Sequence, residues 1–422
     1  MKKIVGNTVS LSRVGDKNSL LSDFSNFDKA RGAVIPGRFP APACRPELTI
    51  DTRFLDHDFV LYDLSRSLRS RRLPFLTGID RIDIAFANSL HERLGDRCRF
   101  VASTTLGPAL LAPEIGAGVL ATITARIGTG GPLPQPAVSR RALLRLLAEG
   151  VARWRAFKPP AGAAYVNASH SGLPVEDGVF AGRLGALSRV IYLHDLIPLD
   201  YPEYQTPRTR DRFLRFLGRM IGPQSHIVAN SRDTAERVAG HAGALGRRLA
   251  GISVATPRLA PSRRTSDSPV REKVRAALSD PRPYFVMIGT IEPRKNHLLL
   301  LNLWREFASQ PDAPRLIIIG RRGWENEMVI DMLDRCEALR GEMTEFGDLG
   351  DEEVYQLLCG ARALLTPSFA EGLGLPVMEA AYAGVPAIMS DIPALREVAG
   401  SLSTFLDPLD GAAWREAILA HV

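Results

Sequence analysis

Short apolar runs alternate with helically spaced apolar residues along most of the chain. The first run, at 59–64, is typical of a buried strand, and apolar residues recur at helical spacing from Ile79 onward. Further strand-like runs begin at Arg99, Ala164, Val190 and His226, with helical patterns over 140–156, 208–221 and 231–249. Strands and helices that alternate in this way predict a parallel sheet with helices on both faces.

A second series of the same kind begins after residues 256–269, which are rich in Pro, Ser and Arg and are typical of a linker. Buried parallel strands are predicted at 284–289, 315–320, 363–367 and 385–389. The pattern divides the chain into a loosely ordered extension (1–50), an amino-terminal α/β unit (51–256), a linker (257–272) and a carboxyl-terminal α/β unit (273–422). Ligands of such paired units bind beyond the carboxyl ends of the strands, in the cleft between the units.

The charge is distributed unevenly between the two halves. Residues 1–280 hold 41 Lys and Arg against 25 Asp and Glu, a balance of +16, and residues 281–422 hold 12 against 21, a balance of −9, which together give +7. A basic half suits an acidic ligand or an anionic membrane face, and a solvated arginine-rich surface is the alternative. The chain has no aromatic RNA-binding pattern and no zinc-finger spacing, so we expect no nucleic-acid partner.

Cysteine usage and hydropathy bear on the compartment. The four cysteines, Cys44, Cys98, Cys336 and Cys359, are far apart and predict buried thiols in a reducing environment. No apolar run approaches the roughly 20 residues that span a bilayer, and polar residues follow the basic start. We therefore expect a cytoplasmic protein, with a peripheral position at the inner face of the plasma membrane as the alternative.

The first stretch that carries chemistry runs from Gly289 to His297, directly after a predicted strand. The glycine permits close backbone approach, and Arg294 and Lys295 place positive charge where a phosphate could sit at the start of the next helix. A basic pair after a strand is also a common surface feature.

The second stretch runs from Pro367 to Ala380, where a strand leads into a glycine-containing loop and then into a helix that begins near Pro376. The backbone amides of residues 372–374 can bind anionic or hydroxyl oxygens there. Glu371 in the loop and Glu379 in the helix can face one cleft, and carboxylates so placed accept hydrogen bonds from the hydroxyls of a ribose and a sugar.

Together these stretches resemble the donor half of the retaining glycosyltransferases of family 4. The spacing from Glu371 to Glu379 matches that family's Glu-x7-Glu motif, and residues 289–296 match its phosphate-binding turn. Residues 319–325, 346–353 and 384–397 add further matches. In the amino-terminal half, His194 resembles the family's strand-end histidine and residues 77–81 resemble its glycine loop. The resemblance implies the GT-B fold: α/β, with two Rossmann-like domains facing across a cleft.

The resemblance also implies roles for individual residues. Lys295 and Arg294 neutralise a nucleoside diphosphate, Glu379 holds the ribose, Glu371 and the amides of residues 372–374 hold the transferred sugar, and His194 sits beside the scissile bond. The implied site comprises His194, Arg294, Lys295 and Glu371 as catalytic residues, and Gly78, Gly289, Thr290, Phe346, Leu349, Gly372, Leu373, Gly374 and Glu379 as donor-binding residues. Many family members carry an arginine where this chain has Thr290, so phosphate binding depends more heavily on Arg294 and Lys295.

The predicted chemistry is stabilisation of the negative charge on a departing nucleoside diphosphate. Fixed cations and helix N-termini can supply it, so no metal or other cofactor is expected. The Asp-His-Asp string at 56–58 precedes the first strand and is interpreted as surface. Because no carboxylate is an obvious covalent nucleophile, we expect substitution on one face through an oxocarbenium-like state.

The predicted function is transfer of a hexose to a saccharide or lipid-linked acceptor in polysaccharide or glycolipid assembly. The turn sequence at 289–296 resembles that of bacterial surface-polysaccharide mannosyl- and rhamnosyltransferases, which favours GDP-mannose as donor, with UDP- and dTDP-sugars next. The alternatives are a nucleotide-sugar isomerase or phosphorolytic enzyme of the same fold, and a catalytically silent module that binds sugar nucleotides. Donor turnover that needs no acceptor would favour the isomerase or phosphorolytic alternative.

Overall fold

The computed structural model describes residues 11–12, 46–70, 76–129, 140–170, 187–244, 246, 248–260 and 270–422. Most of the predicted extension, the middle of the predicted linker and Cys44 lie outside these residues. The described part of the chain forms two α/β units, as the alternation of strands and helices predicts.

The amino-terminal unit is built on an eight-stranded sheet. In chain order its strands are β1 (Leu11–Ser12), β3 (Val60–Asp63), β4 (Cys98–Thr104), β5 (Gly107–Leu110), β6 (Ala164–Asn167), β7 (Ser188–Leu193), β8 (Ser225–Ala229) and β9 (Gly251–Val254). The spatial order is β1-β9-β8-β7-β6-β3-β4-β5. All neighbours are parallel except β5, which pairs antiparallel with β4. The sequence did not indicate this antiparallel edge.

The helices of this unit are α1 (Ser65–Ser70), α2 (Gly78–Leu94), α3 (Pro113–Thr129), α4 (Arg140–Ala156), α5 (Ile197–Asp200), α6 (Pro207–Met220) and α7 (Arg232–Ala244). Helix α7 is shorter than the predicted 231–249, because the run ends at Ala244 and the chain enters β9 seven residues later. Apolar side chains on both faces of the sheet form two cores, one around Tyr165 and Ile191 and the other around Tyr62 and Phe86.

The carboxyl-terminal unit has a six-stranded, fully parallel sheet. Its strands are β11 (Tyr284–Ile288), β12 (Arg315–Ile319), β13 (Met343–Phe346), β14 (Leu364–Thr366), β15 (Ala387–Ser390) and β16 (Ser403–Leu406). The spatial order β13-β12-β11-β14-β15-β16 reverses direction between β11 and β14. The helices are α8 (Glu272–Ser279), α9 (His297–Phe307), α10 (Glu327–Arg335), α11 (Asp351–Gly360), α12 (Leu375–Ala383), α13 (Pro393–Arg396) and α14 (Gly411–Leu419).

Two short strands lie in segments predicted to be irregular. Strand β2 (Glu47–Thr49) belongs to the predicted extension and β10 (Arg258–Ala260) to the predicted linker, and the two pair antiparallel. β1 also falls in the predicted extension. These segments form strands although the sequence predicted no regular structure there. Short strands gain their stability from a distant partner, which local periodicity does not reveal.

Two of the described cysteines are less buried than expected. Cys98 is buried in the first unit, whereas Cys336 and Cys359 are only partly buried. Within the described residues, no helix is long and apolar enough to cross a membrane.

Candidate active site

Residues that follow the strands of both sheets line one cleft of about 870 Å³. The structure brings all thirteen sequence-assigned residues to it: His194, Arg294, Lys295, Glu371, Gly78, Gly289, Thr290, Phe346, Leu349, Gly372, Leu373, Gly374 and Glu379. The two stretches of the second unit follow β11 and β14, between which the strand order reverses. Ligands of open parallel sheets bind at such a reversal.

The turn after β11 depends on its glycine. Gly289 has φ of 147°, a conformation that favours glycine, and a Cβ there would lie 3.2 Å from Cε of Lys295. A single 3₁₀ turn, Pro293–Lys295, follows, and Asn296 in the left-handed conformation leads into α9. The turn folds the Lys295 side chain back over the glycine, so that its amine is buried in the cleft.

The cations of this turn are paired with carboxylates. Lys295 Nζ lies 2.5 Å from Glu371 Oε1, Arg294 Nη1 lies 2.8 Å from Glu371 Oε2, and Arg294 Nη2 lies 2.7 Å from Glu292 Oε1. The Ser368 hydroxyl also donates to Glu371, at 2.7 Å. Burial opposes the charge of Glu371, but Lys295 and Arg294 prevail and lower its pKa to about 2. Glu371 is therefore an ionised acceptor held in one orientation.

The loop after β14 ends at the N-terminus of α12. Gly374, its N-cap, has φ of 91°, and Pro376 occupies the first turn as the sequence predicted. Among the described residues, the amides of Leu373 and Gly374 donate to no hydrogen-bond partner. These amides line the cleft beside the positive end of the helix dipole and suit an anionic oxygen.

Glu379, inside α12, makes its contact with the other unit. Arg81 Nη1 of α2 lies 2.7 Å from Glu379 Oε1, and Arg81 Nε lies 3.9 Å from Asp351 Oδ2. Both members of the Arg81–Glu379 pair are buried, with 6% and 1% of their surfaces exposed. Glu379 is therefore a buried, paired carboxylate.

His194 follows β7 and is fixed by three hydrogen bonds. Its Nε2 lies 2.7 Å from the carbonyl oxygen of Ala168, its backbone N–H donates to His170 Nε2 at 2.8 Å, and its carbonyl accepts from Asn230 at 2.7 Å. Because a carbonyl only accepts, Nε2 carries the proton and Nδ1 keeps a lone pair. Burial lowers the pKa of His194 to about 4, so the ring is neutral near pH 7.

Asp195, next in the chain, also lines the cleft. Its Oδ1 accepts from the backbone N–H of Ile197 at 3.1 Å. Burial raises the pKa of Asp195 to about 6, against the attraction of Arg294. A carboxyl group in this position changes its charge close to neutral pH.

The two units also contact each other directly. The Ser231 hydroxyl donates to the carbonyl of Gly372 at 2.8 Å, and the Glu397 carboxylate accepts the backbone N–H groups of Arg232 and Asp233, both at 2.7 Å. Glu397 thus caps the N-terminus of α7 from the opposite unit. The rings of Tyr204 and Phe369 also stack between the units, with centroids 5.7 Å apart.

Sequence reasoning assigned no role to Arg81, Glu292, Ser368, His170 or Asp195, all of which contact or adjoin the assigned residues. Arg81 lies within the glycine-loop match and Glu292 within the phosphate turn, so the motifs contained them. His170 is distinguished by its backbone conformation, because its φ of 53° is unusual for a residue other than glycine.

Parts of the chain are similar in sequence to known proteins. Residues 270–420 match the family described as "Glycosyl transferases group 1". The chain is 36% identical over 140 residues to O-antigen chain mannosyltransferase B of Escherichia coli, covering 33% of this chain and 35% of that protein. It is 32% identical over 142 residues to O-antigen chain mannosyltransferase RfbU of Salmonella typhimurium, covering 32% and 37%. The chain thus spans little more than a third of the length of these relatives.

Solved structures match over both units. The chain superposes on WaaG, a glycosyltransferase involved in lipopolysaccharide biosynthesis, with a TM-score of 0.52 and 15% identity over 86% of this chain and 90% of that one. Anabaena Alr3699/HepE in complex with UDP and glucose gives a TM-score of 0.54 and 14% identity over 86% and 89%. At such identities the likeness concerns the fold, and the predicted GT-B architecture is confirmed.

Proposed function

We propose that this protein is a retaining glycosyltransferase that moves a hexose from a sugar nucleotide to a saccharide or lipid-linked acceptor. The observation that carries the proposal is the buried cluster of Lys295, Arg294 and Glu371 beside the amide-lined N-terminus of α12, facing His194 across one cleft. The cavity combines cations and amides, which suit a diphosphate, with an ionised acceptor, which suits the hydroxyl groups of a sugar. The diphosphate and the sugar are the two groups joined by the bond to be broken.

The geometry supports separate roles for the groups that would bind the diphosphate and those that would bind the sugar. Arg294, Lys295 and the amides at the α12 N-terminus would stabilise the charge that grows on the diphosphate as the glycosidic bond breaks. Because Glu371 and Glu292 neutralise the two side-chain cations in the free protein, the amides are needed to favour an incoming anion. Glu371 would accept hydroxyl groups of the sugar, and the Nδ1 lone pair of His194 would accept another.

The same contacts support a substitution on one face of the sugar. Glu371 is engaged by two cations and the Ser368 hydroxyl, which makes it a weak nucleophile toward the sugar. The acceptor oxygen would instead form its bond to the anomeric carbon on the side from which the diphosphate departs, and its proton would pass to the departing phosphate oxygen. The stereochemistry of the anomeric carbon is then retained.

GDP-mannose is the first donor to test. Both curated relatives described above are named as O-antigen mannosyltransferases. The neighbouring structure with UDP and glucose keeps a UDP-sugar as the next candidate.

Helix α6 supports an anionic acceptor or acceptor surface. Its apolar side packs into the core through Phe213, Phe216, Leu217 and Met220. Its outer face carries four exposed arginines, Arg208, Arg210, Arg212 and Arg215, and Arg212 also lines the cleft. Such a face would attract a lipid diphosphate or the anionic lipids around it, and the attraction would weaken with added salt.

A transfer assay tests the proposal. The wild-type protein is incubated with GDP-mannose, UDP-glucose, dTDP-rhamnose or an ADP-sugar and a synthetic mannose-terminated acceptor, and the product linkage is determined by NMR. We expect transfer from one donor class with retention of anomeric configuration. Inversion would contradict the retaining mechanism. Donor conversion without acceptor would favour the isomerase or phosphorolytic alternative, and binding without turnover would favour a silent module.

A further inference from the structure

Arg81 of the amino-terminal unit contacts a carboxylate of the carboxyl-terminal unit inside the cleft. It lies in the first turn of α2, and its guanidinium contacts Glu379 of α12, 298 positions along the chain. The Nε atom of Arg81 is buried and has no hydrogen-bond partner among the described residues. A buried polar atom of this kind is costly, so the position of this side chain needs an explanation beyond packing.

The support behind Arg81 is rigid. Thr77 and Asp80 form a reciprocal capping box at the start of α2, and Arg66 holds Asp80 with a 2.7 Å ion pair. Leu375, the first residue of α12, packs against Gly78, where a Cβ would lie 3.0 Å from its Cδ1 atom. The N-terminal turns of α2 and α12 are therefore fixed against each other, and the Arg81–Glu379 contact is built into that junction.

We propose that Arg81 is a positioning residue of the donor site, which orients the Glu379 carboxylate to accept the ribose hydroxyls of the sugar nucleotide. The inference rests on the proposed function, because the ribose is that of the donor. A carboxylate has two oxygens that can each accept more than one hydrogen bond, so Glu379 can accept from Arg81 and from a ribose hydroxyl at the same time. Without a cation beside it, a carboxylate as deeply buried as Glu379 pays a large desolvation penalty and is a poorer acceptor.

A consequence is that neither unit forms the ribose site alone. Glu379 belongs to the carboxyl-terminal unit and Arg81 to the amino-terminal unit, so nucleoside recognition depends on the relative position of the two units. Arg81 thereby links binding of the nucleoside to the position of the unit that carries His194.

Calorimetric titration with GDP and 2′,3′-dideoxy-GDP tests this role on the full chain, with UDP and its dideoxy form as the second probe pair. Wild type is expected to prefer the ribonucleotide by about tenfold or more, since loss of the hydroxyls removes bonds to a charged group. Arg81→Met is expected to weaken ribonucleotide binding about 10- to 100-fold and to bring the preference close to one. Arg81→Lys, which keeps the charge, is expected to retain part of the preference.

Glu397→Gln is the matched control, because it weakens a contact between the units that lies outside the cleft. It is expected to keep the wild-type preference for the ribonucleotide. If Arg81→Met, or Arg81→Lys should the methionine variant not fold, binds ribo- and dideoxynucleotides in the wild-type ratio, the role of Arg81 is refuted while the proposed function stands. Loss of the preference in Glu397→Gln to the same extent would refute it too. Failure of wild type to bind either probe pair would overturn both.

Discussion

Gly372 of the carboxyl-terminal unit approaches His194 of the amino-terminal unit so closely that a Cβ on the glycine would lie 2.0 Å from the histidine carbonyl oxygen. The φ angle of Gly372 lies outside the left-handed region, so its own backbone would accept an alanine. The requirement for glycine therefore comes from the opposite unit. The loop that follows β14 and His194, which follows β7, are thus positioned by direct contact with each other.

Gly372→Ala is expected to push the two units apart by about 1 Å and to lower kcat/KM about 100-fold, because catalytic groups on opposite walls lose their alignment. Steady-state kinetics with the donor identified in the transfer assay measure the effect. Gly240→Ala is the control, since a Cβ there meets no atom within 4 Å. Equal activity of the two variants would show that the contact between Gly372 and His194 does not position the site.

The two histidines of the cleft are expected to hold opposite tautomers. His194 donates from Nε2 to Ala168, whereas His170 accepts the backbone N–H of His194 at its Nε2 and must carry its own proton on Nδ1. Imidazole ¹⁵N spectra distinguish the two forms. Because burial lowers the pKa of His194 to about 4, its signals are expected to remain those of a neutral ring from pH 7 to pH 5. A proton on Nδ1 of His194, or titration near pH 6.5, would contradict the assigned hydrogen bonds.

Much of this site could be predicted because the signals are local. A glycine after an apolar run marks a turn at a strand end, and parallel strands bring such turns to one edge, so Gly289, Lys295 and Glu371 were found from the sequence. Contacts across the cleft could not be found in this way. The pairing of Arg81 with Glu379 depends on how two units are oriented, and neither residue alone carries a signal for it.

Buried pairing of Lys295 with Glu371 is expected to stabilise the fold as a coupled unit. In a double-mutant cycle of Lys295→Met and Glu371→Gln, unfolding in urea is expected to give a coupling free energy of about 1–3 kcal/mol. The exposed pair Arg335 and Asp331 is the matched control, with an expected coupling below about 0.5 kcal/mol. Additive effects at Lys295 and Glu371 would mean that the buried contact contributes little.

Asp195 is expected to make the free energy of unfolding depend on pH. Its pKa is about 6 in the folded protein, above the ordinary value of about 3.9, so its stabilising effect is complete below about pH 4 and is lost as the pH rises through 6. Asp195→Asn, which can still accept from Ile197, is expected to be about 3 kcal/mol more stable than wild type at pH 7.5 and to match it at pH 4. A stability difference that does not change with pH would contradict the burial of an ionising carboxyl group there.

The ion pairs also explain why the sequence charges alone did not predict the electrostatics of the site. The basic turn at 293–295 predicted an electropositive phosphate site, but Glu292 and Glu371 offset both cations in the folded protein.

The direction of strand β5 could not be predicted from the sequence either. Its antiparallel partner β4 is set by a tight turn after Thr104, and four residues are too few for periodicity to reveal direction.

Lys295 is expected to bind the nucleoside diphosphate of a sugar donor in the cleft. The most direct measurement is the melting temperature of wild type, Lys295→Met and the surface control Lys273→Met with millimolar GDP, UDP, dTDP or ADP. A ligand present at 100 times its Kd raises the free energy of unfolding by about 2.7 kcal/mol. We expect a clear rise in Tm with one nucleotide for wild type and Lys273→Met, and loss of that rise in Lys295→Met. No rise with any of the four nucleotides, or an undiminished rise in Lys295→Met, would contradict it.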